Sequence, residues 1–532
     1  MDVKNVSRPR RAPRRNGEGV AAFPIGPLSR GEGFLNRELY LRIREAIVGG
    51  EMPAGYRLPS TRVLSAQLGV ARNTVLDAYE QLNSEGYLES RHGSGHYVAA
   101  FVPEAFERLT AKRRRPEATR KGSAAQIANR FAFVPESFRR AIPAVPFRAN
   151  LPALDVVELQ AWIRLYTRIL RQAGRSARNP GHFGETDAIG DALLRRAIAE
   201  YVSLARGVRC SPEQVVITAG AQHAMDLLLR VIGRPGEQAW IEDPCFPGAL
   251  AALRGAGLQP VPVPVDDDGI DVDRARRLAG EARVALVCPS KQFPLGHVMA
   301  LHRRLALIEW ARERKAWVIE DDYDSEYRFS GKTIPSLQGL DGGEFVIYVG
   351  TFSKVLFPGL RLGFIVAPPM LVDPIVAVRT LAGRHGNPLD QQVLARFILD
   401  GHLGRHVRRM RKLYQVRMEA LLHSAGRWLG GAVTVEPAEA GLQTVGWLAP
   451  GFDDQAVSER AAEAGVEVGH LSRYCIDTAR PPGLVFGFGA FDEGEIDAAA
   501  RVLAGVLERE AGRAAAGGAR SKPSRRRPVR QA

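Results

Sequence analysis

The chain has 532 residues, more than one ordinary hydrophobic core accommodates, so at least two domains are expected. Hydrophobic residues make up 45%, as in ordinary globular proteins, and the net charge of +15 points to a polyanion such as nucleic acid, although a generally Arg-rich proteome would give the same excess. Four widely separated cysteines without a C-x-x-C pair argue against a disulfide framework or metal site, and the lack of a long apolar run or signal peptide argues for a cytoplasmic, nucleoid-associated protein.

Residues 1–33 are polar and rich in Arg, Gly and Pro, and read as a disordered basic arm. A patterned unit follows over residues 34–101. Leu35, Leu39, Ile43 and Ile47 recur at helical spacing, and Gly49-Gly50 closes that helix. Ser60 is placed to cap a second helix, TRVLSAQL, which Gly69 ends. A third helix follows in RNTVLDAYEQLNS, with Val75, Ala78, Tyr79 and Leu82 on its apolar face. Two short strands, YLES and HYVA, flank the turn RHGSG. Helix, helix, turn, helix and a two-stranded wing make a winged helix-turn-helix. Arg72, Asn73 and Thr74 begin the third helix, at the end that enters a major groove. Arg can take guanine O6 and N7 there, and Asn an adenine or a phosphate. Three-helix units also serve as protein docking modules, so the pattern by itself leaves both uses open.

Residues 102–146 are charged and irregular and read as a linker. From 147 to 510 strand-like runs alternate with helical ones: VVITAG, QAWIEDP, VALVCPS, AWVIEDD, FVIYVGT and LGFIVAP. This predicts a large α/β domain with a mostly parallel sheet and a smaller C-terminal α+β part. Residues 511–532 read as a disordered basic tail.

In such sheets ligands gather at the C-terminal strand ends. There stand Ala221 and Gln222, opening a helix; Phe246, which can cover a flat ring; Asp321 and Tyr323; and Thr351, Ser353 and Lys354, with Arg361 beyond. The set suits pyridoxal 5′-phosphate. An amine bonds its aldehyde, a carboxylate keeps its pyridine nitrogen protonated, and hydroxyls, Arg and a helix N-terminus hold its phosphate. A lone lysine after a strand is usually a surface charge, so only the ordered set carries weight.

The string from GYRLPSTRVL to RHGSGHYV closely resembles the GntR-type winged helix. That resemblance puts Arg62, Arg72, Asn73, Thr74, His92 and Gly93 where the family contacts DNA. TFSKVLFPGLRLGF, with Asp321 upstream, resembles fold-type I aminotransferases. IEDDYDSEYRF, PSKQFPLG and DGHLGRHVRRMRKLYQVR, together with the winged helix in front, resemble the MocR-type regulators. The resemblance implies that Lys354 is the Schiff-base lysine, Asp321 the pyridine-nitrogen partner and Tyr323 the partner of the ring's 3-oxygen. Thr351, Ser353, Arg361, Ala221 and Gln222 fall at the phosphate, and Phe246 is the stacking aromatic. It also implies a homodimer on a double-stranded DNA operator.

Three places depart from the pattern. Leu295 follows Gln-Phe-Pro where Thr or Ser is usual, Lys291 stands where His is common, and GHFGETDAIG replaces the usual Tyr-Gly-x-Pro entry. No arginine leads directly into PGLVFGFG; the closest candidates to clamp an α-carboxylate are Arg473 and Arg480, and an ordinary surface arginine is the competing reading of Arg473. The expected function is a transcriptional regulator that senses pyridoxal phosphate or an amine through Lys354. The alternatives are a working aminotransferase with an accessory DNA-binding domain, and a degenerate domain that only dimerises.

Overall fold

The computed structural model describes residues 35–91, 94–100, 131–135, 143–175, 184–329 and 335–518, together with Ile25, Phe138 and Arg139. The expected arm apart from Ile25, most of the linker, the tail beyond Gly518, and His92 and Gly93 lie outside those residues. The chain divides into two compact units near residue 128.

The first unit contains α1 (Leu35–Gly49), α2 (Thr61–Leu68), α3 (Arg72–Ser84), β1 (Leu88–Arg91) and β2 (Gly95–Val98). Leu39, Ile43 and Ile47 of α1 meet Leu64 of α2 and Val75, Ala78, Tyr79 and Leu82 of α3 in one buried core. The Ser60 side chain accepts from Val63 N, and Gly69 ends α2 at φ 67, a left-handed conformation that suits glycine. β1 and β2 pair antiparallel, Leu88 opposite Val98. Ser60→Ala is expected to cost about 1 kcal/mol in this unit, measured as a lower urea midpoint.

The second unit begins with α4 (Leu159–Arg175), α5 (Ala192–Arg206), β3 (Val215–Thr218), α6 (Ala221–Ile232), β4 (Gln238–Asp243) and α7 (Pro247–Gly255). It continues through β5 (Gln259–Asp266), β6 (Gly269–Ile270), α8 (Val272–Ala279), β7 (Val284–Val287), α9 (Leu301–Arg314), β8 (Trp317–Asp322), α10 (Leu337–Asp341), β9 (Val346–Thr351) and β10 (Gly363–Val366). Then come α11 (Pro369–Gly383), α12 (Pro388–Leu399), α13 (His402–Trp428), β11 (Val433–Val435), β12 (Gln443–Leu448), α14 (Asp454–Glu463), β13 (Gly469–His470), β14 (Gly483–Gly487) and α15 (Glu493–Gly518).

The large sheet has the order β3-β10-β9-β8-β7-β4-β5-β6. β5, β4, β7, β8 and β9 run parallel, whereas β10 is antiparallel to both β9 and β3. Alternate strand residues serve opposite faces. Ile319, Ile347, Val349 and Ile365 pack with Ala224, Leu228, Ala249 and Leu253 of α6 and α7. Val318 and Val346 pack with Ala275, Leu307 and Ile308 of α8 and α9 on the other face. Both faces are covered, which is why these runs read as continuously apolar. A second sheet, β11-β12-β14-β13, packs against α13 and α15.

Two boundaries bear on the expected domains. The described residues from 131 onward cluster with the second unit, and the Phe138 ring packs edge-on against Phe246 at 5.7 Å. The last helix runs to Gly518, past the expected domain end at 510. Apolar side chains finding a cavity wall decide the first case, and continuous helix propensity decides the second.

Candidate functional site

The parallel strands bring their C-terminal ends to one edge of the sheet. β3 delivers Thr218 and the turn into α6 there, β4 leads to Phe246, β8 to Asp321 and Tyr323, and β9 to Thr351, Ser353 and Lys354. β10 reverses direction, so its beginning lies at the same edge. Gly363 pairs with both Thr218 and Thr351, which carries Arg361 to that edge although it precedes its strand. The close approach needs glycine: a Cβ on Gly363 would come within 2.8 Å of Gly220 Cα and 2.9 Å of Gly350 O.

These ends enclose a cavity of about 660 Å³, a size typical of small-molecule pockets. Ala221, Gln222, Phe246, Asp321, Tyr323, Thr351, Ser353, Lys354 and Arg361, all expected at the site, line it together. At one end is a cradle. Gly220 sits at φ 101 just before α6, and a Cβ there would lie 3.9 Å from Arg361 Nη1 and 4.0 Å from Ser353 Oγ. A backbone turn, a hydroxyl and a guanidinium thus converge at a helix N-terminus, an arrangement suited to a phosphate. Arg361 adopts φ 49, a left-handed conformation uncommon for a side-chain-bearing residue. Thr351 Oγ1 accepts from Ser353 N at 3.2 Å, which shapes the turn that follows β9.

The inner end is buried and short of hydrogen-bond partners. Asp321 is 4% exposed, and its Oδ1 has no partner. Burial, then Asp322 and Asp324, push its carboxyl up to about 7. Such a carboxylate is stabilised by a cation or proton donor placed against it. The Tyr323 hydroxyl is also buried and without a partner. Lys354 Nζ donates to Asn150 O at 2.9 Å. Burial brings its amine down to about 8, against the opposing pull of Asp324. An amine so adjusted has an accessible neutral, nucleophilic form near neutral pH. The orphaned Asp321 oxygen, the orphaned phenol and the Gly220 cradle fit a protonated pyridine nitrogen, a ring oxygen and a phosphate respectively.

The expected carboxylate clamp is not brought in. Arg473 lies exposed in the short turn Leu471–Tyr474 and is not among the described residues lining the cavity. Arg480 donates to Val265 O. The loop between these two arginines is tied to β4, where Asp243 accepts from the backbone N–H groups of Ile476, Asp477 and Thr478.

Several contributors had no local signal in the sequence. Asn150 lies outside any regular element, and its left-handed φ of 65 helps orient the backbone whose carbonyl meets Lys354. Phe131, Phe133, Val134 and Phe138 wall the cavity from within the expected linker. Phe138 begins an aromatic series that continues through Phe246 and Phe293 at 5.6 Å to Tyr323 at 6.4 Å. Phe246 therefore touches other rings while keeping its place on the cavity wall.

In the first unit Arg62, Arg72 and Asn73 are exposed, and Thr74 is half-buried. Arg72 Nε donates to Thr61 Oγ1 at 3.2 Å, linking α3 to the start of α2. Ala71, which precedes α3, makes no side-chain cap. Among the described residues no helix is long and apolar enough to cross a membrane. No group of three or more His, Cys, Asp or Glu among them is arranged for a metal ion.

The family model described as bacterial regulatory proteins, gntR family, matches residues 35–98, and that described as aminotransferase class I and II matches residues 167–439. The chain is 38% identical to the probable rhizopine catabolism regulatory protein MocR of Rhizobium meliloti, over 86% of this chain and 90% of that protein. It is 33% identical to the HTH-type pyridoxine biosynthesis transcriptional regulator PdxR of Corynebacterium glutamicum, over 89% and 95%. Among solved structures it is similar to LysN, an α-aminoadipate aminotransferase from Thermus thermophilus complexed with N-(5′-phosphopyridoxyl)-L-leucine. The TM-score is 0.63 at 28% identity, covering 69% of this chain and 93% of that one.

Proposed function

This chain belongs to the MocR-type regulators of the GntR family, DNA-binding proteins with an aminotransferase-like domain, and we propose from that premise that its second unit senses a ligand by holding pyridoxal 5′-phosphate. The observation that carries this reading is the pair of orphaned buried groups, Asp321 Oδ1 and the Tyr323 hydroxyl, in one cavity with Lys354 and the Gly220 cradle. When bound, the cofactor supplies an aldehyde and an electron-withdrawing ring.

In this reading Lys354 is the attachment point, and Asp321 holds the proton at the ring nitrogen. Tyr323 donates to the ring oxygen, and Phe246 covers one face. Ala221, Gln222, Thr351, Ser353 and Arg361 hold the phosphate. The ligand that is sensed is the cofactor itself or an amine that joins it. The regulator works as a homodimer, each copy presenting α3 to one of two half-sites, because paired half-sites mirror a twofold protein. Ligand acts by binding two arrangements of the regulator with different affinity.

The lack of an arginine leading directly into PGLVFGFG supports sensing over amino-acid turnover. Turnover is the second reading, favoured by the likeness to an aminotransferase solved with a phosphopyridoxyl amino acid. Measuring operator binding with and without pyridoxal phosphate, alongside transaminase assays, separates the two. Enzyme-like turnover with operator affinity unmoved by cofactor or amine would favour the second.

The DNA assignment has its own test. Arg72→Ala is expected to weaken operator binding by about 5- to 150-fold, the equivalent of one lost base contact of about 1–3 kcal/mol. Cofactor uptake should be unaffected. Wild-type affinity in that variant, measured by fluorescence anisotropy at fixed salt, would remove Arg72 from the reading surface.

A further inference from the structure

The roles proposed above leave unused a buried ion pair beside the site. Lys291 Nζ lies 3.0 Å from Asp324 Oδ2, and the two side chains are 2% and 1% exposed. Nζ also stands 5.9 Å from the centre of the Tyr323 ring. Gly441 packs tightly here: a Cβ on it would overlap both Lys291 Nζ and Asp324 Oδ2. Its φ of 83 fixes the backbone in that position. Asp324 Oδ1 has no hydrogen-bond partner. The carboxylate is therefore held by one cation through one oxygen.

Asp324 also exerts the largest electrostatic pull on Lys354, ahead of Asp321. Two lysines thus act on one buried carboxylate. A buried carboxylate without a cation is strongly disfavoured, and it either takes up a proton or holds a neighbouring group in its cationic form. Lys354 bonds an aldehyde only through its lone pair, which its ammonium form lacks.

We propose that Lys291 is a positioning residue for Lys354: by occupying Asp324 it prevents that carboxylate from capturing Lys354 as an ammonium ion. The inference rests on the reading of Lys354 as the attachment point. The other charged groups acting on Lys354 are Asp321 on its β8 side, Arg148 from the segment before Asn150, and Arg361. Arg148 and Arg361 oppose its protonation, and Asp321 favours it. Asp322 is already held by Arg206 and the Tyr348 hydroxyl. Asp324 is the remaining neighbour whose demand for a cation depends on Lys291.

The test is the pH dependence of pyridoxal phosphate uptake by the full chain, followed through its yellow absorbance between about pH 6 and 10. Lys291→Met leaves Asp324 without its cation, so Lys354 remains protonated to higher pH. Uptake is expected to fall about tenfold near pH 7, as it does when the midpoint moves up by about one on the pH scale, and to recover as pH rises. Lys291→Arg should preserve the wild-type profile. The double variant K291M/D324N should return the midpoint to the wild-type position, because the carboxylate that demands a cation is gone. A merely structural pair would lower uptake at every pH, in single and double variants alike. That result, or a K291M profile equal to wild type, overturns the proposal. A wild-type protein that stays colourless at every pH overturns instead the cofactor reading on which it rests.

Discussion

Lys354→Ala is expected to abolish covalent attachment of pyridoxal phosphate. Borohydride treatment of the wild-type chain should fix one cofactor at Lys354, located by mass spectrometry of the peptide, and the variant should carry none. The reason is local. Lys354 is the lysine lining the cavity, and its amine is brought down to about 8 by burial. The remaining cradle of Gly220, Ser353 and Arg361 is untouched by the substitution, so weak phosphate-dependent binding should survive. The cost in stability is small, about 0.5–1.5 kcal/mol for the lost bond to Asn150 O. Operator binding by the folded variant should persist but cease to respond to pyridoxal phosphate. Cofactor fixed to the variant at wild-type yield would remove Lys354 from its proposed role.

The largest expected loss of stability comes from Asp322→Ala. Asp322 Oδ2 accepts from Arg206 Nε at 2.8 Å and from the Tyr348 hydroxyl at 2.7 Å. The paired side chains of Arg206 and Asp322 are 7% and 2% exposed. Removing the carboxylate leaves a buried guanidinium without its counter-charge and a buried phenol without its acceptor. Breaking such a pair from one side costs about 3–5 kcal/mol, a large part of an ordinary domain's stability. The pair joins the end of α5 to the end of β8, next to Asp321, so the strand end that carries the site should loosen with it. A urea titration followed by fluorescence measures the effect. Asp322→Asn keeps the shape and an acceptor and should lose less. A loss under about 1 kcal/mol for the alanine variant would show that the pair contributes little.

Much of this was legible in the chain. Val75, Ala78, Tyr79 and Leu82 follow the helical repeat and are the buried face of α3, and Ser60 and Gly69 bound α2. The polar positions at Asp321 and, beyond β9, at Lys354 could be read because the apolar starts of β8 and β9 give way abruptly to polar residues. Phe131, Phe133 and Phe138 were not legible as a wall, because they stand in a charged, irregular segment and the Phe246 that Phe138 meets is more than a hundred residues away. Arg473 was the reverse case. Sequence proximity to β14 nominated it; the structure places it exposed in Leu471–Tyr474, just before a loop whose N–H groups at 476–478 are held by Asp243.

The sequence by itself determined what depends on neighbours along the chain: the helices and strands, their caps, the order of the two units and the residue types at each strand end. Tertiary structure alone decided which of those ends meet. Arg361 reaches the cradle because β10 runs against β9 and β3. Asn150 reaches Lys354 across more than two hundred residues, and Lys291 and Gly441 close around Asp324 from separate segments. Periodicity records what a residue does to its own helix or strand. It carries no record of which distant charge will share its low-dielectric surroundings, and it is that shared burial which adjusts Lys354 and leaves Asp321 short of a partner.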